Sequence, residues 1–322
     1  MKKIIAIIIS IVLTAVCLSA CGTGSEQGTE AEGKLKIVTD IYAVYDWTNR
    51  IMGDESENGV ILLTDNGTDL HSYQPSAEDI LDLTTCDVLI YVGGQSDAFI
   101  DDALKNSMND DMKVVNMIDI LGDSVREETL TEGMEAEEEE EDEVEYDEHV
   151  WLSLRNAEVI CDSICEALIQ ADPENEELYR KNLEEYESEL SALDAEFAEA
   201  VSEAGSRTLI FGDRFPFRYL TDDYGLEYFA AFPGCSADTD ASFETVTTLA
   251  HKADEYEVPA ILIIEGSDGK IAETVINSTE NKDQKILTLN SMQSVNLSDL
   301  GQDDSYLSFM KENLDVIIEA LG

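Results

Sequence analysis

The sequence predicts an α/β protein of two lobes, each a parallel sheet flanked by helices, joined by one long helix. Two sets of four apolar runs of strand length alternate with amphipathic stretches, which is typical of parallel sheets covered on both faces. Between the sets, a polar stretch carries apolar residues at helical spacing. Two such lobes on a rigid helix imply a cleft, and open α/β sheets bind ligands at the carboxyl ends of their strands.

Composition limits the kinds of partner. The chain has 322 residues, of which 43% are apolar and 28% charged, enough apolar material for two cores. Lys and Arg together number 19 against 71 Asp and Glu, a formal net charge of −52. So few cations cannot form a basic surface for nucleic-acid phosphates, so nucleic acid is excluded as a partner and cations are favoured.

The N-terminus is typical of an exported lipoprotein. Residues 1–20 combine two lysines with a short apolar run and are predicted to be a signal peptide, with an uncleaved anchor helix as the alternative. The ending Leu-Ser-Ala-Cys resembles a bacterial lipobox, which makes Cys21 the predicted lipidation (palmitate) site. Residues 21–33 are mostly glycine and polar residues and are predicted to be a flexible tether. We expect the mature protein on the outer face of the cytoplasmic membrane or in the periplasm, held to a membrane by lipid.

The first lobe is predicted over residues 34–172 and the second over 205–322, with the connecting helix at 173–204. Pro173 suits the first turn of that helix, which would span about 45 Å. The predicted strands are 34–41, 59–65, 86–93 and 113–118 in the first lobe, and 208–213, 227–234, 260–266 and 285–291 in the second. The predicted helices are 76–83, 98–105, 242–256, 269–278 and 305–321.

The chain has three histidines, and two of them are in similar places. His71 and His149 each lie in a loop directly before a helix, on the predicted cleft edge. Imidazole is neutral near neutral pH and is the commonest side-chain ligand of zinc-like ions, so the two predict a metal site. His251 lies within a helical pattern and is predicted to be a helix-surface residue.

The residues around these histidines carry a resemblance to a known family. GTDLHSYQPSAEDI, containing His71, resembles the first metal-ligand motif of the zinc/manganese solute-binding lipoproteins of ABC transporters. DEHVWLSLRNA, containing His149, is similar to that family's second motif, and RYLTDDYGL and SYLSFMKENL match its later pattern. The resemblance implies a metal cleft between the lobes, no catalysis, and delivery of the metal by a monomer to a membrane permease and its ATPase.

The resemblance is weaker in the second lobe. Arg214 stands where the family has its third ligand, and it cannot bind a cation, so Asp213 is the predicted substitute. Asn290 stands at the fourth position; its neutral amide is a weaker donor, and we rank Glu265, at the end of a strand, ahead of it. As alternatives, Asp213 pairs with a neighbouring arginine or caps a helix, and Glu265 binds loop amides.

Residues 127–148 form an acidic run that ends directly before His149 and contains no histidine. Carboxylates there could collect cations weakly, or the run is simply a solvated, self-repelling loop. The four remaining cysteines, which we interpret as small buried side chains with a disulfide from Cys86 or Cys235 left open, are Cys86, Cys161, Cys165 and Cys235.

Zinc is the predicted metal because two imidazoles with one or two oxygens suit Zn²⁺, and Mn²⁺ is the alternative if oxygen donors dominate. A metal-dependent hydrolase is a rival class, since two histidines and a carboxylate also form a catalytic zinc set. The sequence contains neither HExxH nor GxSxG to support it. An adhesin or scaffold with a structural metal is a third possibility.

Overall fold

The computed structural model of the chain describes residues 34–53, 59–135, 146–236 and 240–322. The predicted signal peptide and the whole predicted tether, including Cys21, lie outside the described residues, as does the centre of the acidic run at 136–145. Within those described ranges, no helix has both the length and the apolar character needed to cross a membrane.

The first lobe is a four-stranded parallel sheet in the order β2-β1-β3-β4. Its strands are β1 Ile37–Thr39, β2 Val60–Leu62, β3 Val88–Tyr91 and β4 Lys113–Asn116. Its helices are α1 Tyr42–Met52, α2 Ala77–Thr85, α3 Phe99–Leu104, α4 Met117–Leu121 and α5 Leu154–Ala171. The central strands β1 and β3 are wholly buried, which explains their continuous apolar sequences.

The long helix α6 spans Glu176–Glu203 and follows a 3₁₀ turn at Pro173–Asn175. It buries one stripe of its surface, formed by Tyr179, Leu183, Tyr186, Leu190, Leu193, Phe197 and Val201. Asn182 donates to the carbonyl of Ile51 in the first lobe (3.0 Å), and Asp194 accepts from the Tyr224 hydroxyl in the second (2.9 Å). The helix therefore contacts both lobes along one face.

The second lobe repeats the arrangement, with strand order β6-β5-β7-β8, all parallel. Its strands are β5 Thr208–Phe215, β6 Glu227–Pro233, β7 Ala260–Ile264 and β8 Lys285–Leu289. Its helices are α7 Arg218–Tyr224, α8 Phe243–Glu255, α9 Lys270–Ser278 and α10 Tyr306–Leu321. The predicted fold class is confirmed. Strand β5 runs two residues beyond its predicted end, with a shift of register between Phe211 and Arg214.

The two lobes are joined by buried hydrogen bonds around Trp151. Its indole N–H donates to the carbonyl of Ser291 just after β8 (2.9 Å), and its own carbonyl accepts from the Tyr306 hydroxyl of α10 (2.7 Å). One continuous apolar core includes residues of both lobes and of α6. The chain just after His149 is thereby fixed against the second lobe.

Candidate metal centre

His71 lies in a 3₁₀ turn, Leu70–Ser72, in the loop between β2 and α2. The Asp69 carboxylate caps this turn by accepting the His71 backbone N–H (3.0 Å). The ring's Nδ1 shares a hydrogen bond with the Ser96 hydroxyl (2.6 Å). With Nδ1 engaged, the Nε2 atom is the one that the ring presents to the cleft.

His149 precedes a second 3₁₀ turn, Val150–Leu152, and its side chain is fully buried. Its backbone N–H and its ring Nδ1–H both donate to Asp147 Oδ1, at 2.9 and 2.8 Å. A carboxylate on Nδ1 fixes the ring orientation and leaves Nε2 as a lone-pair donor, as in carboxylate–histidine–zinc arrangements.

The two Nε2 atoms converge. They lie 3.2 Å apart, although 78 residues separate the two histidines along the chain. Two ligands bound to one tetrahedral zinc at about 2.0–2.1 Å lie about 3.3 Å from each other, so this spacing suits a shared ion. Gln293 adds an amide group whose Nε2 lies 3.1 Å from His71 Nε2 and 2.5 Å from His149 Nε2.

The two rings differ in their electrostatics. Burial and the neighbouring His149 lower the pKa of His71 to about 4, which keeps its imidazole neutral at physiological pH. Burial also acts to lower the pKa of His149, but the charge and hydrogen bond of Asp147 outweigh it and raise that pKa. Neutral imidazole is the metal-binding form, so His71 is ready for an ion, whereas His149 must lose any proton when an ion binds.

Glu148 positions His71 indirectly, through Ser96. Its carboxylate accepts the backbone N–H groups of Gln95 and Ser96, the latter at 3.0 Å, and so orients the hydroxyl that binds His71 Nδ1. A Cβ at Gly94 would lie 2.2 Å from Glu148 Oε1, so only glycine allows this approach. Glu148 belongs to the acidic run, and the interpretation of that run as a solvated loop does not hold at this end.

Glu265 lies at the carboxyl end of β7, as predicted, and its oxygens bind the turn after β8. They accept the Ser291 N–H (2.7 Å) and hydroxyl (2.6 Å) and the Gln293 N–H (3.2 Å). Asn290 uses its side-chain oxygen to accept the Met292 N–H (2.8 Å). This geometry matches the alternative interpretation, in which Glu265 binds loop amides and so positions Gln293. Metal ligation by Glu265 stays a prediction.

Asp213 lies within β5 and is also engaged with the backbone. Its two oxygens accept the N–H groups of Arg214 (2.8 Å) and Ile264 (3.3 Å). The Arg214 guanidinium instead pairs with Asp69 of the first lobe (3.0 Å). None of these contacts brings Asp213 to the histidine pair. The role of Asp213 as a metal ligand stays a prediction.

A cavity of about 280 Å³ opens beside His71. Its wall includes Glu128 and Tyr146 from the two ends of the acidic run, and Cys235 from the loop after β6. Sequence reasoning missed Gln293, Ser96 and Cys235 as site residues. The available signal was that all three follow the carboxyl ends of strands, where ligands of such sheets gather.

The remaining predictions concern residues outside the site. His251 is exposed on α8, 3.8 Å from Glu255, so its prediction as a helix-surface residue is confirmed. Cys86, Cys161 and Cys165 are buried thiols, whereas Cys235 is partly exposed; none of these four is in a disulfide.

Two parallel-sheet lobes and a pair of imidazoles whose Nε2 atoms converge define a candidate metal-binding protein. The sequence matches the family model for the periplasmic component A of the zinc-uptake complex over residues 37–320. The chain belongs to this family, and the predicted relationship to zinc and manganese solute-binding proteins is confirmed.

Individual relatives include both zinc and manganese proteins. The zinc-binding lipoprotein AdcA of Streptococcus pneumoniae is 31% identical over 98% of this chain, and the chain spans 60% of AdcA. The manganese ABC transporter substrate-binding lipoprotein PsaA of Streptococcus anginosus is 28% identical over the full length of both. The Zn(II)-bound ZnuA-like domain of S. pneumoniae AdcA superposes with a TM-score of 0.70 and 27% identity, covering 90% of this chain and 99% of that domain.

Proposed function

We propose that this protein captures a divalent transition metal, Zn²⁺ in first place, outside the cytoplasm and delivers it to an ABC permease driven by its ATPase. The metal is cargo and takes part in no reaction. A lipid on Cys21 would hold the protein to the membrane surface, close to the permease.

One observation carries the proposal: two imidazole Nε2 atoms 3.2 Å apart, each on a ring whose Nδ1 is already hydrogen-bonded. Two imidazole nitrogens aimed at one point can bind a proton, a donor group or a metal ion. In this structure the Gln293 amide is the donor group, and a metal ion would take over the same two lone pairs. His71 and His149 are therefore the ligands that we propose first.

Zinc is favoured over manganese by the donor atoms. Imidazole nitrogen suits Zn²⁺, whereas Mn²⁺ prefers carboxylate, carbonyl and water oxygens. The carboxylates predicted to complete the site, Asp213 and Glu265, already bind backbone amides. A manganese carrier would need those oxygens at the ion. Mn²⁺ is therefore the alternative cargo, to be considered if Asp213 or Glu265 releases its amides and binds the ion.

The proposal is tested by titrating the full chain with Zn²⁺ in a calorimeter. We expect one ion per chain, reversed by a chelator. His71→Ala and His149→Ala should each weaken binding by more than about 100-fold, since even partners outside the first shell are worth about 10- to 100-fold. His251→Ala is the matched control, because it removes an exposed imidazole on α8 whose neighbour is Glu255. Unchanged affinity in the His149→Ala protein would contradict the proposal.

A further inference from the structure

A third metal-binding atom lies beside the histidine pair. Within the described ranges, one group of three or more His, Cys, Asp or Glu donors has its ligand atoms all within 4.8 Å of one another, and it consists of His71, His149 and Cys235. The thiol of Cys235 is partly exposed and lines the cavity next to His71. An ion between the two imidazoles would therefore have a sulfur atom within reach.

The backbone before Cys235 is shaped to bring it there. Gly234 follows the end of β6, and a Cβ at this position would lie 2.7 Å from His149 Cε1 and 3.0 Å from its Nδ1. Its N–H donates to a Glu128 oxygen at 3.0 Å, which holds the strand end in place. Because residue 234 has no side chain, the chain passes directly over the imidazole and the next side chain reaches the site.

Arg214 ties the same loop to the other histidine. Its guanidinium donates to the carbonyl of Ser236 (3.5 Å) and pairs with Asp69 (3.0 Å). Asp69 in turn caps the turn that carries His71. Arg214 thus links Ser236, which follows Cys235, with Asp69, which positions His71. Arg214 cannot bind a cation, but these contacts give it a positioning role.

We propose that Cys235 binds the captured metal as a thiolate, as the third ligand with His71 and His149; this rests on the proposed function. The Cys235 S–H bond breaks as the metal–sulfur bond forms, and the proton leaves to solvent, so the step is an exchange without oxidation. Two imidazoles and one thiolate form a nitrogen–sulfur site with a fourth position open for an oxygen donor. Thiolate is a soft ligand that selects Zn²⁺ over Mn²⁺, so Cys235 is a determinant of specificity.

Cobalt(II) provides the decisive test because it reports sulfur ligation directly. The full chain titrated with Co²⁺ should show a sulfur-to-cobalt charge-transfer band in the near ultraviolet that saturates at one ion per chain. Cys235→Ser should bind one Co²⁺ but lack the band, and Cys235→Ala should behave the same way. Cys165→Ala is the matched control, since that thiol is buried in α5, and it should keep the band.

The outcomes separate this proposal from the proposed function. Stoichiometric binding of Co²⁺ without a band in the parent protein would overturn ligation by Cys235 and leave metal capture standing. A band that survives in Cys235→Ser would overturn it too. Failure of the parent protein to bind either Co²⁺ or Zn²⁺ would instead reject metal capture.

Selectivity provides a second readout. Competition between Zn²⁺ and Mn²⁺ should show that Cys235→Ser loses at least about tenfold in affinity for Zn²⁺, in line with the 10- to 100-fold effects of groups further from a metal. Its affinity for Mn²⁺ should change much less, so the ratio between the two metals falls. An equal loss for both metals would contradict a role in specificity.

Discussion

Asp213, the predicted third ligand, is held by the backbone of the second lobe. Both of its oxygens accept backbone N–H groups, from Arg214 and from Ile264 of the neighbouring strand. These bonds stabilise β5 at its register shift, just before the residue whose guanidinium spans the two lobes. To ligate a metal, Asp213 would have to release at least one amide.

We therefore expect Asp213→Asn to weaken Zn²⁺ binding by less than about tenfold, well below the loss in His149→Ala, because the amide oxygen still accepts one N–H. Calorimetry on the two variants and the parent protein measures the difference. Glu265→Gln is a parallel case, since that carboxylate also accepts amides. A loss as large as that of His149→Ala would establish the predicted direct ligation.

A pair of buried carboxyl groups lies behind the loop that supports His71. Asp40 accepts the Val92 N–H (2.8 Å), and Asp97 accepts the Gly93 N–H (2.7 Å). Burial raises the pKa of both, and for Asp97 the charge of Asp40 adds to the effect, with Glu148 contributing less. The folded state therefore favours the protonated form of Asp97.

This arrangement predicts a pH-dependent stability. Because the raised pKa lets the folded protein keep a proton that the unfolded chain loses above the ordinary pKa of 3.8, the contribution of this pair to the free energy of unfolding falls as the pH rises from there through neutral. Asp97→Asn mimics the protonated form, so it should match the parent protein in acid and exceed its stability at higher pH. Urea denaturation across this window measures the difference; parallel curves for the two proteins would rule the explanation out.

At the scale of an element, the acidic run consists of two folded ends around a charged centre. Glu128 binds the Gly234 N–H, and Glu148 binds the loop that supports His71, so both ends are part of the site wall. The central residues, Glu137 to Glu141, are five consecutive carboxylates in the sequence. These glutamates lie in the sequence between Glu128 and Tyr146, which both line the cavity. Their negative charge is therefore suited to attract cations to it.

We expect changing these five glutamates to glutamine to slow Zn²⁺ association severalfold at low salt and to flatten its salt dependence, because steering is electrostatic and is screened beyond about 8–10 Å in physiological salt. Stopped-flow mixing with a metal indicator measures the rate. The matched control changes five exposed glutamates of α6, namely Glu177, Glu184, Glu189, Glu199 and Glu203. An unchanged rate with a large loss of equilibrium affinity would mean that the centre supplies ligands.

The elements that could be predicted from the sequence are those that show a pattern of apolar residues within one stretch of the chain. Strands β1 and β3 are unbroken apolar runs, and α6 shows its apolar stripe at helical spacing. His71 and His149 stood out because each lies in a polar loop before a helix. Cys235 and Gln293 did not, since their proximity to the histidines arises from how two separate sheets pack, which no spacing along the chain reveals.

At the scale of the whole molecule, the largest apolar core is shared by the two lobes. Trp151 and Tyr306 are buried between them and hydrogen-bonded across them, and the apolar contacts continue through α6. Neither lobe could unfold without exposing surface that belongs to the other. Cooperativity should therefore extend across the described fold.

We expect a single denaturation transition, with coincident curves from circular dichroism and tryptophan fluorescence. Zn²⁺ at about 100 times its dissociation constant should raise the free energy of unfolding by about 2.7 kcal/mol, because it binds only the folded form. His71→Ala should unfold in one step too, but without this increment. Two separated transitions in the parent protein would show that the lobes are independent folding units.

The position of Trp151 gives the protein a built-in optical reporter. Its ring centre lies 5.2 Å from that of His149, and the chain contains one other tryptophan, Trp47, which packs against Tyr306 in the core. Replacing a hydrogen-bonded imidazole by a metal-bound one alters the electric field on the indole next to it. Metal binding should therefore change the tryptophan fluorescence of the unlabelled protein. In the Trp151→Phe variant, which keeps Trp47, the fluorescence should not respond to the metal.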